Sequence, residues 1–281
     1  RRDRIRRHDG DRIRSSAIHV RCRRRHHLRL EPRRISDSVV HCRAERIGAG
    51  AYAEKLGFRN VVAFDMGGTT AKCALVENGR YSVNSLYYAN GYVKGFPIKS
   101  AVIDIVEVGS GGGSIAWLDS QKRLHVGPQS AGADPGPACY GRGGEQPTVT
   151  DANLVLGRLP AESPIAADLR LDAAAARTAL ESLDIGSAEN AAEGVVAVAV
   201  NAMVQALRVV SVERGHDPAG AALIAFGGAG PLHACELAEQ LGATRVLCLP
   251  ASGVLSALGL AAAERRRDLS RSLLTPLAEA D

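Results

Sequence analysis

Two short apolar runs, each ending at a pair of glycines, constrain this chain more than any other feature. Val61-Val62-Ala63-Phe64 leads into Asp65 and the turn Met66-Gly67-Gly68-Thr69-Thr70, and Ala222 to Phe226 leads into Gly227-Gly228-Ala229-Gly230. Brief apolar runs ending in glycine read as strands, the second of them a buried one by its pattern. Helices stand before and between them. Ala49 to Phe58 is a helical stretch closed by Gly57, Ala71 to Glu77 alternates as a second strand, and Asn78-Gly79 signals a hairpin. Residues 61–88 thus predict a β-meander with a glycine turn at its first bend. Val102 to Val108 predicts another strand, feeding the loop Gly109-Ser110-Gly111-Gly112-Gly113-Ser114 and then the apolar segment Ile115 to Leu118. Beyond an N-cap expected at Thr150-Asp151 the chain turns helical, over Leu171–Leu183 and over Ala188–Arg214 as one long helix. Past the strand Ala222–Phe226, Pro231 opens a helix that Gly242 ends, and Arg245 to Leu249 forms a last strand. This alternation is that of the α/β class.

Chemistry concentrates at the glycine bends. Adjacent glycines let backbone N–H groups turn inward without Cβ obstruction, forming an anion-binding concavity to which the hydroxyls of Thr69 and Thr70 add donors. Asp65, beside such an anion, is placed to hold Mg²⁺ through water. The competing reading is an ordinary glycine hairpin with an Asx-type Asp. Gly227-Gly228-Ala229-Gly230 puts bare backbone at a helix N-terminus, where the dipole favours anions, although the same turn also lets a helix pack closely on a sheet. The spacing is not GxGxxG and no acidic residue follows about 20 positions on, which disfavours a Rossmann site. His233, in the first turn of that helix, is expected to cap or pack. Gly127 to Pro147 holds six Gly and four Pro without a period. This exceeds the ~12–15 residues usual for loops in compact domains, so it is expected to be functional or disordered. Asp104 interrupts an apolar strand, where an unpaired charge is costly, and Asp134 lies in the long loop; both are candidate catalytic residues. Cys139 has no histidine near it in sequence and is expected to be a packed free thiol.

Charge divides the chain. Residues 1–46 hold 16 Arg and 6 acids, a balance of +10, while the other 235 residues hold 19 Lys plus Arg and 24 acids, a balance of −5. The main body is therefore mildly acidic and gives no reason to expect a nucleic-acid footprint. Residues 1–47 show no sustained period. A basic tail binding an anionic partner such as nucleic acid, a mitochondrial-type targeting peptide and foreign sequence from a shifted frame compete for them. Asp3, Asp9 and Asp11 count against targeting, and foreign sequence is the favoured expectation. Six scattered cysteines without a CxxC pair point to the cytoplasm. The best apolar stretch, Val195 to Val204, is broken by Asn201 and falls short of the ~18 residues that a membrane span needs.

A DxGGT hairpin followed by a strand–GG–helix near the domain's end resembles the phosphate-plus-adenosine arrangement of the actin and sugar-kinase superfamily. Five longer stretches carry a narrower resemblance: VVAFDMGGTTAKCALVENG (61–79), VIDIVEVGSGGGSIAWLD (102–119), VGPQSAGADPGPACYGRGGEQPTVTDANLVLGRL (126–159), VSVERGHDP (210–218) and AFGGAGPLHA (225–234). Residues 48–260 resemble the hydantoinase A family, which includes N-methylhydantoinases, 5-oxoprolinases and the related acetone and acetophenone carboxylases. The resemblance implies a partial actin-like ATPase (ribonuclease H-like) fold of mixed sheets with packed helices over 48–265, and the start of a C-terminal extension at 266–281. It implies an ATP- and Mg²⁺-dependent hydrolase or carboxylase subunit. Such a subunit phosphorylates the oxygen of a cyclic amide or ketone, so that a poor electrophile gains a good leaving group, and works beside a hydantoinase B-type subunit. By the same resemblance Asp65, Gly67, Gly68, Thr69 and Thr70 contact phosphate and metal, and Gly227, Gly228 and Gly230 approach the adenosine. Lys72 stands where hydantoinase-like members carry Asp and carboxylase-like members Lys, which tilts toward the carboxylases. Related chains also carry an earlier domain with its own DxGGT-type turn. Resemblance stops near Gly48, so half of the nucleotide cleft is expected to be lacking, and a catalytically incomplete fragment that keeps its fold and partner surface is the alternative.

Overall fold

The computed structural model describes residues 18–20, 44–78, 80–84, 87–89, 96–98, 102–103, 105–162, 169–249 and 252–255. Its centre is a mixed sheet. Strand β1 (Ile18–Val20) lies at one edge and helix α1 (Ala44–Lys55) precedes β2 (Asn60–Met66), β3 (Ala71–Glu77) and β4 (Arg80–Tyr81). Two small ribbons follow, β5 (Val83–Asn84) with β8 (Val102–Ile103) and β6 (Tyr87–Ala89) with β7 (Phe96–Ile98). Then come β9 (Val106–Val108), the hairpin β10 (Ser114–Leu118) and β11 (Leu124–Ser130), and helices α2 (Val149–Val155), α3 (Ala173–Glu181) and α4 (Ala188–Val210). Strand β12 (Ala222–Phe226), helix α5 (Gly230–Leu241) and strand β13 (Arg245–Cys248) complete the unit. The sheet order is β1-β13-β12-β2-β3-β4, with β9 also pairing β3. β2 runs antiparallel to β3 but parallel to β12, which is parallel to β13.

Alternate residues of the central strands divide two cores, as the pleat requires. Val62, Phe64 and Met66 of β2 join Leu223 and Ala225 of β12 beneath α4, α5 and α2. Val61, Ala63, Ile224 and Phe226 face the opposite way, onto Ala49 and Ala53 of α1. With both faces covered, the apolar runs of β2 and β12 are continuous rather than alternating. Helix α4 is long and apolar enough to cross a membrane by length and composition, beyond what the run Val195–Val204 suggested. Its Val195, Val196, Ala199, Val200, Met203 and Leu207 are packed into the core instead.

Local pairing revises four sequence expectations. Residues 102–108 are not one strand: β8 pairs β5 and β9 pairs β3, in different sheets. The irregular loop starts after Ser130, because β11 runs to that residue and pairs it with Ser114; Gly127 and Pro128 fall in the register shift between the Val126 and Ser130 pairs, where a proline removes no ladder bond. The cap of α2 is Thr148, one turn earlier than Asp151 in the helix. Asp151 is the other half of a capping box, accepting from the Thr148 amide at 2.9 Å while Thr148 Oγ1 accepts from the Asp151 amide at 3.3 Å. Finally, α4 stops at Val210 and a 3₁₀ turn covers Val212–Arg214; the Ser211 hydroxyl donates to Leu207 O at 2.6 Å and competes with the helix ladder there.

At the C-terminal ends of β2 and β12 the chain departs in opposite directions, from β2 to β3 on one side and from β12 through α5 to β13 on the other. Such a switch point opens a crevice beyond the carboxyl ends of parallel strands. Both glycine bends leave the sheet at this switch point.

Candidate functional site

The register places Phe226 beside Asp65, so the two bends emerge from adjacent strands. The Ala229 N–H donates to Met66 O at 2.9 Å and binds one bend to the other. Gly227 has φ +80°, and a Cβ on it would collide with Asp65 Oδ1 and Met66 O. Glycine is thus required there by both conformation and contact. Gly230 is buried, and a Cβ on it would lie 3.4 Å from Met66 N and 3.6 Å from Phe64 O. Its bareness therefore faces strand β2 and lets α5 pack closely, which explains this glycine without a ligand.

Within the first bend, the Gly67 N–H closes the turn on Thr70 O at 3.1 Å, and the Gly227 N–H donates to Ser252 O at 2.9 Å. Those two amides are occupied. Among the described residues, no backbone hydrogen bond uses the amides of Gly68, Thr69 or Gly228, which are all exposed. Nothing lies within 4 Å of a Cβ built on Gly67, Gly68 or Gly228, so the approach to them is open. Asp65 is half-buried and Lys72 lies directly across the β2–β3 ladder from it, at a spacing where opposite charges attract.

A third glycine loop completes the wall, and the sequence reading had not assigned it to the site. The Gly112 N–H donates to Gly67 O (3.0 Å) and the Gly113 N–H to Gly68 O (2.6 Å). These bonds engage the turn's carbonyl oxygens, the groups that would repel an anion. Gly111 packs so closely that a Cβ on it would lie 2.5 Å from Thr69 C and 2.6 Å from Thr69 N. The run Gly111-Gly112-Gly113 was visible in the sequence, but its partner could not be seen from a strand pattern that placed it over forty residues downstream. Thr150 holds this loop in turn, its N–H and its Oγ1 both donating to Gly112 O at 2.8 Å.

The other candidates fall elsewhere. Asp134 is exposed in the loop after β11, whose nearest tie to the site is the bond from the Ala131 N–H to Gly113 O at 2.8 Å. Asp104 lies outside the described residues. Cys139 is fully buried, and burial together with the nearby Asp151 carboxylate pushes its thiol far above the usual range, consistent with a packed thiol. Asp151 itself accepts from the Cys139 N–H at 2.8 Å, so its work is structural. His233 is buried on α5 and meets Asn153 of α2 at 3.3 Å, as a packing residue. Beside it, Arg158 grips Glu236 with two hydrogen bonds of 3.0 and 2.5 Å. Burial would raise the Glu236 carboxyl, but His233 and the Arg158 guanidinium outweigh it and hold the pKa at about 2. A separate depression lined by Glu77, Asn78, Tyr81 and Ser82 lies at the far end of β3, away from all three loops.

Known proteins share this framework. The hydantoinase/oxoprolinase family profile matches residues 43–269, starting one residue before α1. The caprolactamase alpha subunit of Pseudomonas jessenii is 42% identical over 221 residues, covering 77% of this chain and 31% of that protein. The acetophenone carboxylase gamma subunit of Aromatoleum aromaticum is 39% identical, covering 76% of this chain and 29% of its own. Among solved structures, the ATP-dependent caprolactamase of Pseudomonas jessenii superimposes with a TM-score of 0.67 at 41% identity, over 75% of this chain and 31% of that one. Nucleotide-free acetone carboxylase gives 0.67 at 28% identity, over 75% and 30%. The chain spans about a third of the length of these relatives. The sheet order and the neighbours together make the fold that of the actin-like ATPases. With a family profile covering most of its length and relatives near 40% identity, this chain belongs to the hydantoinase/oxoprolinase family.

Proposed function

We propose that the crevice between the glycine bends binds the phosphates of ATP, and that the chain is part of a cytoplasmic enzyme activating a cyclic amide or ketone by phosphorylation. The observation that carries this reading is the exposure of Gly68, Thr69 and Gly228, whose amides enter no backbone hydrogen bond among the described residues, around an open approach, with the neighbouring carbonyls of Gly67 and Gly68 tied to the third loop. Amides so oriented stabilise anionic oxygens without reorganising. Relatives described as ATP-dependent support the choice of nucleotide.

The residues of the first bend fit a magnesium–nucleotide pair. Among the described residues no group of three or more His, Cys, Asp or Glu could hold an ion. Asp65 offers one carboxylate at the bend, which suits Mg²⁺ because that ion keeps most of its waters and takes phosphate oxygens for the rest. When bound, Mg²⁺·ATP supplies the transferable phosphoryl group and neutralises its charge. The chain's part would be to fix it: Asp65 would hold the metal through its waters, Gly68 and Thr69 would donate to phosphate, Thr70 would add its hydroxyl, and Gly227 and Gly228 would border the nucleoside. Lys72, across from Asp65, adds a cation beside the phosphate and favours the carboxylase branch. Relatives named as alpha and gamma subunits support a partner subunit, for which a B-type chain is the proposal. Since the chain spans a third of its relatives, turnover is expected only with the rest of the assembly.

Titration calorimetry with Mg²⁺·ATP tests the reading. Asp65→Asn is expected to weaken binding by at least about tenfold, the loss of one charge-assisted contact. Absence of any binding heat from the unmodified chain, alone and with its partner, rules the nucleotide site out.

A further inference from the structure

Helix α2 is tied both to the third loop and to α5. Its first turn holds the third loop through Thr150 and Gly112. Its last turn holds α5: Asn153 Nδ2 donates to Val149 O at 2.9 Å and meets His233 Nε2 at 3.3 Å. Because both partners of the amide nitrogen must accept, Nε2 of His233 is the acceptor and the ring proton sits on Nδ1. Among the described residues that Nδ1 is buried without a hydrogen-bond partner, 3.9 Å from Glu236 Oε2, too long for more than an electrostatic contact. Asn153 Oδ1 is buried without one as well. Two orphaned polar atoms weaken a core that an apolar pair could fill, so the Asn153–His233 bond is retained at a cost in stability. Just past α2, the Arg158 fork on Glu236 makes a second, parallel tie to the same helix.

We infer that Asn153–His233 and Arg158–Glu236 form a brace that fixes the Gly227–Gly230 bend relative to the Gly109–Ser114 loop, and through that loop relative to the Gly67–Thr70 turn. The four are positioning residues, since none is part of the proposed anion cradle. The brace works because α5 begins at Gly230, three residues before His233, so any slip of α5 against α2 moves the bend directly. Its functional meaning rests on the nucleotide reading; its mechanical content does not.

Hydrogen exchange on the 281-residue chain separates the two. The reporters are the amides of Gly112, Gly113 and Ala229, whose bonds to Gly67 O, Gly68 O and Met66 O span the loops. His233→Leu removes the acceptor for Asn153, and His233→Gln keeps one. The expected result is about tenfold faster exchange at all three reporters in His233→Leu, with His233→Gln within about twofold of the unmodified chain. Mg²⁺·ATP affinity is expected to fall about tenfold in His233→Leu and to return in His233→Gln. Should the leucine variant fail to fold, the charge reversals Arg158→Glu and Glu236→Arg replace it: each alone speeds the reporters and the double reversal restores them. Exchange that changes only within α5, or that the double reversal does not restore, overturns the brace. If the reporters respond as expected while the unmodified chain binds no ATP, the brace stands and the nucleotide reading falls. If ATP binds and neither the reporters nor the affinity respond, the opposite holds.

Discussion

Replacing Gly111 by alanine should pry the third loop off the phosphate-type turn. A Cβ there would sit 2.5, 2.6 and 2.7 Å from Thr69 C, Thr69 N and Gly68 C, all backbone atoms that cannot rotate away. Reaching an ordinary contact of 3.4 Å requires a displacement of 3.4 − 2.5 = 0.9 Å. That movement stretches the Gly112 N–H bond to Gly67 O from 3.0 Å toward 3.9 Å, past any useful hydrogen bond, and the Gly113 bond from 2.6 Å to 3.5 Å. Overpacking costs ~1–3 kcal/mol and each lost bond about 1 kcal/mol, so the sum is about 4 kcal/mol. At ~2–4 °C per kcal/mol for a domain of this size, the melting temperature should fall by about 8–16 °C in a circular-dichroism scan. Gly68→Ala is the control. Nothing stands within 4 Å of its Cβ, so it should melt within about 2 °C of the unmodified chain, although the methyl would block an approaching anion. Equal melting of Gly111→Ala and Gly68→Ala would refute the close packing of the two loops.

Two further outcomes follow from the electrostatics. Glu236, held at about 2 against an ordinary 4.5, contributes stability that is fully present above pH 4.5 and is lost as pH falls from 4.5 to about 2. The side chain is 38% exposed, so screening reduces this to about 1 kcal/mol. Glu236→Gln should therefore narrow the drop in urea midpoint between pH 5 and pH 2.5, and an unchanged drop would count against the Arg158 fork. Cys139, buried with its thiol pushed up, should resist iodoacetamide at pH 8 in the folded chain and react fully in urea. Mass spectrometry showing modification of the native protein would contradict that burial.

Much of the architecture was legible because it depends on local pattern. The apolar runs at 61–64 and 222–226, the helix opened by Pro231 and closed by Gly242, and the glycine turn between Met66 and Ala71 each follow from neighbours a few residues apart. Departures arose where partners are distant. VIDIVEV has the composition of one strand, yet its ends pair with β5 and β3, whose competing demands break it. Thr148 displaced Asp151 as the cap of α2 because the capping box uses both residues, and only the backbone angles decide which stands outside the helix. Among the site residues, Gly230 shows the same limit: a glycine needed to seat α5 on β2 has the same spelling as one needed for a ligand.

The sequence by itself determined the α/β class, the two glycine bends and the family, since each rests on periodicity, backbone freedom or a long ordered match. Tertiary structure alone decided that the bends meet, through Ala229 and Met66, and that Gly111–Gly113 closes over the first of them. The reason is physical. Parallel pairing of β2 with β12 brings together residues over 150 positions apart, and no pattern of near neighbours encodes which strand will lie beside which.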